Sequence, residues 1–588
     1  MDGHAGPVQS TRSCDLLVIG AGAGGLSAAV TAAILGLDVI VLEKEAVFGG
    51  TAAWSGGWMW IPRNPLALAA GIREDEEGPR TYLRHELGEY YDESRIDAFL
   101  EHGPRMIEFY RAHSAVQFID GNLIPDFHGR SPGALPGGRS VCAAPFDGRE
   151  LGTRIRDLRP PLDLVSLWGM GISAGADLRH FLKATRSWSS FRYAARRVAI
   201  HLKDLLFHGR SMQLVNGNAL VARLAKSAFD HNVSIDVSHS VQHLIVRDGA
   251  VYGAHVDTPQ GTIDITARRG VVLACGGFPH DVQRKRALFA HAPTGREHWS
   301  AASPGNTGDG LRLAEAAGGM LDDSFAEAGA WAPVSLVKRA DGSTGTFPHL
   351  IERGKPGLIA VTGAGRRFVD EADSYYDFMQ ALFDAVPAGQ PVFAWLLCDH
   401  RFIRRYGLGA VKPAPFPLGR WLRSGYLRRG RTIAALAEAC GIDAATLDHT
   451  VATYNASARE GQDPEFARGE TPYNLMQGDV DHAPNPCVAP LENGPFYAVQ
   501  IVPGSLGTFA GLRTDANAHV LDAHGEPVRG LYACGNDMAS VMGGRYPSGG
   551  ITLGPAMTFG YIAAHDAAGK TLAASANRTA MTGEKDVL

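Results

Sequence analysis

The chain has 588 residues, 45% of them hydrophobic, and its 56 basic residues nearly balance 61 acidic ones. No global positive field points to nucleic acid, and no run of about 18 apolar residues points to a membrane span. The seven cysteines carry no Cys-x-x-Cys pair, which argues against a metal knuckle or disulfide framework and fits a reducing compartment.

Residues 1–13 are polar and lack the apolar core of a signal peptide, so a cytoplasmic protein is expected. Residues 14–20 form an apolar run ending in glycine, as a buried parallel strand does. Residues 23–36 are small and apolar at helical spacing, and residues 38–43 form a second buried strand ending in Glu43. Strand, glycine turn, helix, strand and acid make a dinucleotide-binding βαβ unit. With 71 glycines in the chain a glycine pattern alone is weak, and this context gives it meaning. Gly20 permits the tight turn, Gly22 lets backbone N–H groups reach a pyrophosphate, and Gly25 allows close helix–strand packing. Ala23 and Gly24 lie between them at the helix start, while Glu43, followed by Lys44, would meet ribose hydroxyls.

The next segment, Gly49 to Gly57, is small and hydroxylated where a ribityl chain would lie, with Gly50, Thr51, Ser55, Gly56 and Gly57 as candidate contacts. It favours FAD over NAD, and no second glycine fingerprint has comparable context. No histidine lies between His4 and His85, so a covalent histidyl–flavin link near Thr51 is ruled out and FAD should be held non-covalently.

Residues 64–120 are charged and mostly helical in pattern, and 121–150 form a Gly- and Pro-rich loop. In 151–212, basic residues between Lys183 and Arg210 alternate with Trp188, Phe191, Leu202, Leu206 and Phe207. That pattern fits a surface helix pair with a solvated basic face, or an interfacial helix making weak contact with anionic lipid through 183–210. Strands are predicted at 234–237, 242–246, 251–256 and 271–274, the last running into Cys275-Gly276-Gly277. Strands at 497–502 and 530–533 follow, then Gly535-Asn536-Asp537, where Gly535 and Asn536 can make a late contact to the cofactor. The expected fold is α/β: a discontinuous Rossmann-like FAD-binding domain (1–300, with 151–212 as a helical insertion, and 495–588) around an inserted α+β substrate domain at 301–494.

Tyr546-Pro547-Ser548-Gly549-Gly550-Ile551-Thr552 runs into Leu553-Gly554-Pro555-Ala556-Met557-Thr558-Phe559-Gly560. A phenol, a hydroxyl and a glycine turn precede a helix start at Gly554, Pro555 and Ala556, whose positive end could face the flavin. This block, the Ser55–Pro62 stretch and Gly365-Arg366-Arg367-Phe368-Val369-Asp370-Glu371 resemble the fumarate reductase/3-ketosteroid dehydrogenase flavoproteins almost end to end. The finer resemblance is to the 3-ketosteroid Δ1-dehydrogenases. It implies desaturation next to the carbonyl of a steroid-like, lipophilic cyclic ketone, with a quinone-type or artificial electron acceptor. Tyr546 and the Gly550 N–H would polarise the carbonyl, a tyrosine after Glu371 would take the α-proton, and the β-hydride would go to flavin N5. That tyrosine is Tyr375, with Tyr376 beside it as the alternative. A phenolate base requires a pKa well below about 10, lowered by neighbours or a helix dipole.

Two departures stand out. Phe127 occupies the segment where the Δ1 enzymes usually offer a further tyrosine, and Ser548 resembles the Tyr-x-Ser pattern of the Δ4-(5α)-ketosteroid dehydrogenases. Fumarate chemistry is disfavoured because Tyr375 and an apolar-flanked Tyr546 stand where an arginine acid/base and a His-Gly-rich block are required. Gly171-Ile172-Ser173-Ala174-Gly175 fits a serine-hydrolase elbow, which needs a strand before the serine and a helix after it.

Overall fold

Residues 11–570 and 572 are described by a computed structural model. Thr11–Ile19 is the apolar strand expected at the start, and it runs parallel to Val39–Glu43 on one side and Gly261–Leu273 on the other. Pro527–Ala533 then pairs parallel with Gly261–Leu273, placing Ala533 beside Leu273. Four parallel strands therefore end at one edge, at Ile19, Glu43, Leu273 and Ala533. The expected contact residues Gly20, Lys44, Gly276 and Gly535 follow within three residues of those ends. Ligands of open α/β sheets bind at such carboxyl edges. The sheet is completed by Ser234–Val237, Ser240–Arg247, Ala250–Thr258 and His519–Leu521.

Helix Ala23–Ile34 lies against this sheet, wedged between Asn216–Asp230 and the C-terminal helix Leu553–Ala567. Its approach to the first strand is so close that a Cβ at Gly25 would lie 2.0 Å from the Gly20 carbonyl oxygen. The C-terminal helix is buried almost throughout, and Ser27 Oγ donates to the Met557 carbonyl at 2.6 Å across the contact.

A second sheet carries Thr344–Pro348, Gly329–Lys338, Phe496–Thr508, Ala394–Cys398 and Leu358–Thr362, in that order. Phe496–Thr508 is its central strand and also receives Trp299–Ser300 and Arg428–Gly430. The strand predicted at 497–502 therefore belongs to the second sheet and not to the resumed cofactor fold, which the chain re-enters at His519. Both of its faces are apolar, so the sequence reports burial without saying in which sheet. The segment 151–212 supplies helices Ala176–Lys183 and Trp188–His208, with largely irregular chain before them.

A buried charge network lies beside the last strand of the second sheet, Leu358–Thr362. Glu371, fully buried, accepts from Arg367 at 2.8 Å and Arg468 at 2.9 Å, and Arg367 also holds Asp463 at 2.7 Å. The buried Arg353 donates to the Glu371 carbonyl at 3.0 Å and the Asp373 carbonyl at 3.2 Å. Removing one partner would strand an unpaired charge in a low-dielectric interior. The network thus pins the loop that delivers helix Tyr375–Ala385, capped by Ser374.

Candidate active site

One cavity of about 1350 Å³ extends from the first glycine turn to the C-terminal tyrosine block. At one end it is walled by Gly20, Gly22, Ala23, Gly24, Glu43, Lys44, Gly50, Thr51, Ser55, Gly56 and Gly57, with Gly276, Gly535, Asn536 and Ala556 facing them. Gly25 lies behind this wall in the helix–strand contact, and Gly554 and Pro555 are buried in the first turn of the C-terminal helix without lining the main cavity.

These residues fit a dinucleotide. A Cβ built on Gly22 or Gly50 would meet nothing within 4 Å, so both backbones border open space. Glu43 is buried, and its two carboxylate oxygens accept from Ala21 N at 3.2 Å and Glu45 N at 3.0 Å. Burial raises its pKa, with those N–H groups acting against the rise. Lys44 ion-pairs with Asp309 and donates to Thr307 Oγ1 at 2.7 Å. Thr51 Oγ1 accepts from Ser303 N at 2.9 Å and Asn306 Nδ2 at 3.1 Å, and Asn306 also donates to the Gly276 carbonyl at 3.0 Å.

Two of these struts escaped sequence reasoning. Asn306 ties the Thr51 loop to Gly276, and the Asp537 carboxylate accepts from Cys275 N at 2.6 Å and Gly277 N at 2.9 Å, joining two strand ends. The signal for the first was the run Pro304-Gly305-Asn306-Thr307-Gly308-Asp309, too dense in turn formers for a substrate domain.

At the other end the aromatic residues converge. Tyr375, the first residue of its helix, meets Tyr546 edge-on with ring centroids 5.1 Å apart. Phe127 stacks on Tyr546 at 5.7 Å and presents an edge to Tyr375 at 5.6 Å. Tyr473, absent from the sequence-based candidates, packs on Phe127 at 4.6 Å. All four line the cavity. Tyr376 does not, because its hydroxyl donates to the Gly544 carbonyl at 2.8 Å. Ser548 does not either: its buried hydroxyl lies toward the buried Asp126 carboxylate.

Each ring is held from behind. The Pro547 carbonyl accepts from Phe127 N at 3.0 Å and the Tyr82 hydroxyl at 2.6 Å, fixing the loop that carries Tyr546. Asp126 accepts from Trp60 Nε1 at 2.8 Å and Arg139 Nη1 at 2.6 Å, fixing Phe127. Beside it, His128 bridges Glu86 and Asp377, with Nε2 at 2.9 Å from Asp377 Oδ2. Against burial, those two carboxylates push His128 up to about 11, so it stays charged and ties this loop to the Tyr375 helix.

Gly550 lines the same end of the cavity. Its φ of +102° suits glycine, and a Cβ there would lie 2.7 Å from Trp60 N. Its carbonyl is turned away into the protein, accepting from Trp60 N at 3.1 Å and Gly554 N at 3.0 Å. Its N–H donates to no group among the described residues, which leaves a donor free beside Tyr546.

The electrostatics hold a surprise. Burial pushes Tyr546 up to about 12, with Tyr375 and Thr552 acting against the rise, so it is a neutral donor at any ordinary pH. Burial, followed by Tyr546 and Tyr473, drives the Tyr375 phenol well above the ordinary range, with Arg353 opposing. The lowered pKa expected of a base is not present in the protein alone, because desolvation outweighs the helix N-terminus.

The hydrolase alternative fails on geometry. Ser173 follows an isolated bridge between Leu167 and Met170 and not a strand, so no elbow forms.

The chain matches the FAD binding domain family over residues 15–553. It is 39% identical to a 4-oxocyclohex-2-ene-1-carboxylate 5-dehydrogenase from Sinomonas cyclohexanicum, over 96% of this chain and 95% of the relative. It is 36% identical to a 3-oxosteroid 1-dehydrogenase from Mycobacterium tuberculosis, over 95% of this chain and all of the relative (100%). Its fold is similar to the crystal structure of 3-ketosteroid Δ1-dehydrogenase from Sterolibacterium denitrificans in complex with 1,4-androstadiene-3,17-dione, with a TM-score of 0.87, 35% identity, and coverage of 95% of this chain and 100% of that one.

Proposed function

Because the chain belongs to the FAD-binding-domain family and is an FAD-dependent dehydrogenase of the 3-oxosteroid 1-dehydrogenase and cyclohexanone-type group, we propose that it introduces a C=C bond next to the carbonyl of a cyclic 3-oxosteroid-like ketone, at the Δ1 position. The observation that carries this reading is the convergence of Tyr375, Tyr546 and the unoccupied Gly550 donor at one end of the cavity whose other end is the glycine turn.

The Tyr546 hydroxyl and the Gly550 N–H grip the carbonyl oxygen from two directions, and negative charge developing there is worth about 3 kcal/mol per well-aimed donor. That makes the neighbouring C–H acidic enough for Tyr375 to take its proton. Tyr375 is protonated in the empty site, so it must lose that proton to solvent before it acts as the base. Phe127 and Tyr473 exclude water from the reacting face. FAD, held by the Gly20–Gly25 turn, Glu43 and the Thr51 segment, supplies the hydride acceptor. Ser548 takes no part, which favours Δ1 over the Δ4-type reading.

Two partners complete the proposal. A quinone-type acceptor reoxidises the enzyme in the cytoplasm. The helix Trp188–His208 rests weakly on anionic lipid: Trp188 is 72% and Leu206 79% exposed, and both lie on one side with Phe191 and Leu202. Arg192, Arg196 and Lys203 are exposed beside them and carry no ion pair among the described residues. No described helix is long and apolar enough to cross a membrane. Anaerobic bleaching of the flavin by a panel of cyclic ketones tests the central reading: 3-oxosteroids should bleach it and fumarate should not reoxidise it.

A further inference from the structure

Beyond the tyrosine clamp, the cavity wall turns cationic. Arg179, Lys183, Arg186 and Lys355 all line it. Arg179 and Lys183 are consumed by Asp481, which Arg179 meets at 2.9 Å. The other two are not. Lys355 makes no ion pair among the described residues; its ammonium donates to the Gln477 carbonyl at 2.6 Å and the Gly478 carbonyl at 2.7 Å, which leaves its third proton unused. Arg186 is exposed and donates only to the Leu182 carbonyl, at 3.2 Å.

The two cations share one side of the cavity. Tyr406 lines it there and donates to Asp479 Oδ2 at 2.6 Å, and Arg405 reaches the same oxygen at 2.5 Å. Burial and the Asp479 carboxylate push the Tyr406 phenol up, with Arg405 and Arg186 acting against them. Asp479 is hydrogen-bonded by Arg405 and Tyr406 and attracts Lys355 only through space, so with Arg186 this wall carries more cations than anions.

The wall is joined to the clamp by a single side chain. Gln477, whose carbonyl binds Lys355, donates through Nε2 to the Tyr473 hydroxyl at 2.6 Å, and the Tyr473 ring packs on Phe127. Lys355 thus stands on the substrate side of the cavity, one aromatic layer beyond the rings that hold the ketone. A half-buried ammonium with a free proton favours an anionic partner, because a charge-assisted hydrogen bond outweighs a neutral one.

Resting on the desaturase reading above, we propose that Lys355, assisted by Arg186, is a subsite for a carboxylate at the end of the substrate remote from its ketone. The substrate class is then a carboxylated cyclic ketone, not a neutral one.

The test uses the FAD-loaded enzyme and two acid–ester pairs at low ionic strength: a 3-oxo-4-ene steroid with a side-chain carboxylate against its methyl ester, and 4-oxocyclohexanecarboxylate against its methyl ester. Dye-linked turnover gives kcat/KM for each. We expect the acid to exceed its ester by about tenfold or more in at least one pair, the scale of a hydrogen bond to a charged group. Lys355→Met should bring that ratio toward one, and the surface variant Arg186→Gln should reduce it in the same direction. Equal kcat/KM for acid and ester in both pairs, or an unchanged ratio in both variants, overturns the subsite. If neither the acids nor the esters bleach the flavin, the desaturase reading fails and the subsite falls with it.

Discussion

Tyr375 and Tyr546 meet edge to face, ring centroids 5.1 Å apart and planes at 85°, and both line the same cavity. Their environments separate their roles. Tyr546 is a neutral donor at ordinary pH, while Tyr375, first residue of a helix, is the phenol that the proposed reaction uses as base.

Tyr546→Phe should therefore slow flavin reduction by the substrate by about 100-fold or more, the cost of one oxyanion donor. Tyr375→Phe should slow it further still, because the proton then has no acceptor. Both proteins should keep FAD, as neither side chain belongs to the glycine-turn end of the cavity. Stopped-flow bleaching gives the rates, and near wild-type reduction in Tyr546→Phe would sink the assignment.

The pH profile follows from the same burial. Tyr375 holds its proton well above pH 10 in the protein alone, so raising pH increases the phenolate fraction, about tenfold per unit. The reduction rate should climb between about pH 6 and about pH 9 with no plateau, and the slope should vanish in Tyr375→Phe. Tyr546, at about 12, remains protonated across that range and adds no falling limb. A bell-shaped profile centred near neutrality contradicts this.

Much of the cofactor end was legible in the sequence. Local rules fix a βαβ turn: Gly20, Gly25 and Glu43 answer to a strand, a helix start and a strand end within one short stretch. The clamp was legible only through resemblance, since nothing local marks Tyr375 off from Tyr376. The helix phase separates them, leaving Tyr375 on the cavity wall and the Tyr376 hydroxyl on the Gly544 carbonyl. Tyr473 and Asn306 were missed because long-range packing brings them in. Tyr473 reaches Phe127 across some 350 residues of chain (about 346 apart in sequence), and no periodicity encodes such a contact. The central strand Phe496–Thr508 was found but put in the wrong sheet, because an apolar run specifies burial and not partners.

FAD should be released by acid precipitation, since no histidine lies between His4 and His85 to bond it near Thr51. Colour retained in the pellet would refute non-covalent binding. Glu43→Gln should weaken FAD affinity while leaving the fold intact: the buried carboxylate becomes a neutral amide, and its backbone contacts to Ala21 and Glu45 are partly kept. Titration of the apoprotein with FAD measures it, and an unchanged affinity would mean that the acid does not face the ribose.

Helix Trp188–His208 should bring the protein down with phosphatidylserine vesicles at low salt but not with neutral ones, as an interfacial helix with a cationic flank does. Trp188→Ser with Leu206→Ser should abolish the association without changing turnover of a water-soluble ketone. Equal sedimentation of wild type and double variant would show that the exposed stripe meets no membrane.

Regiochemistry turns on Ser548. It is 1% exposed and outside the cavity, and its hydroxyl lies toward Asp126, which Trp60 and Arg139 already hold. A proton donor or relay must come within about 3 Å of the atom it serves, and Ser548 has no such access to the space between Tyr375 and Tyr546. Ser548→Ala should then change flavin reduction less than about threefold, within the scale of losing a weak neutral hydrogen bond, and the product of a saturated 3-oxosteroid should be the 1-ene. A loss in Ser548→Ala comparable to that in Tyr546→Phe, or a 4-ene product, would transfer the chemistry to the other side of the carbonyl and give the serine the role that its position in this structure denies it.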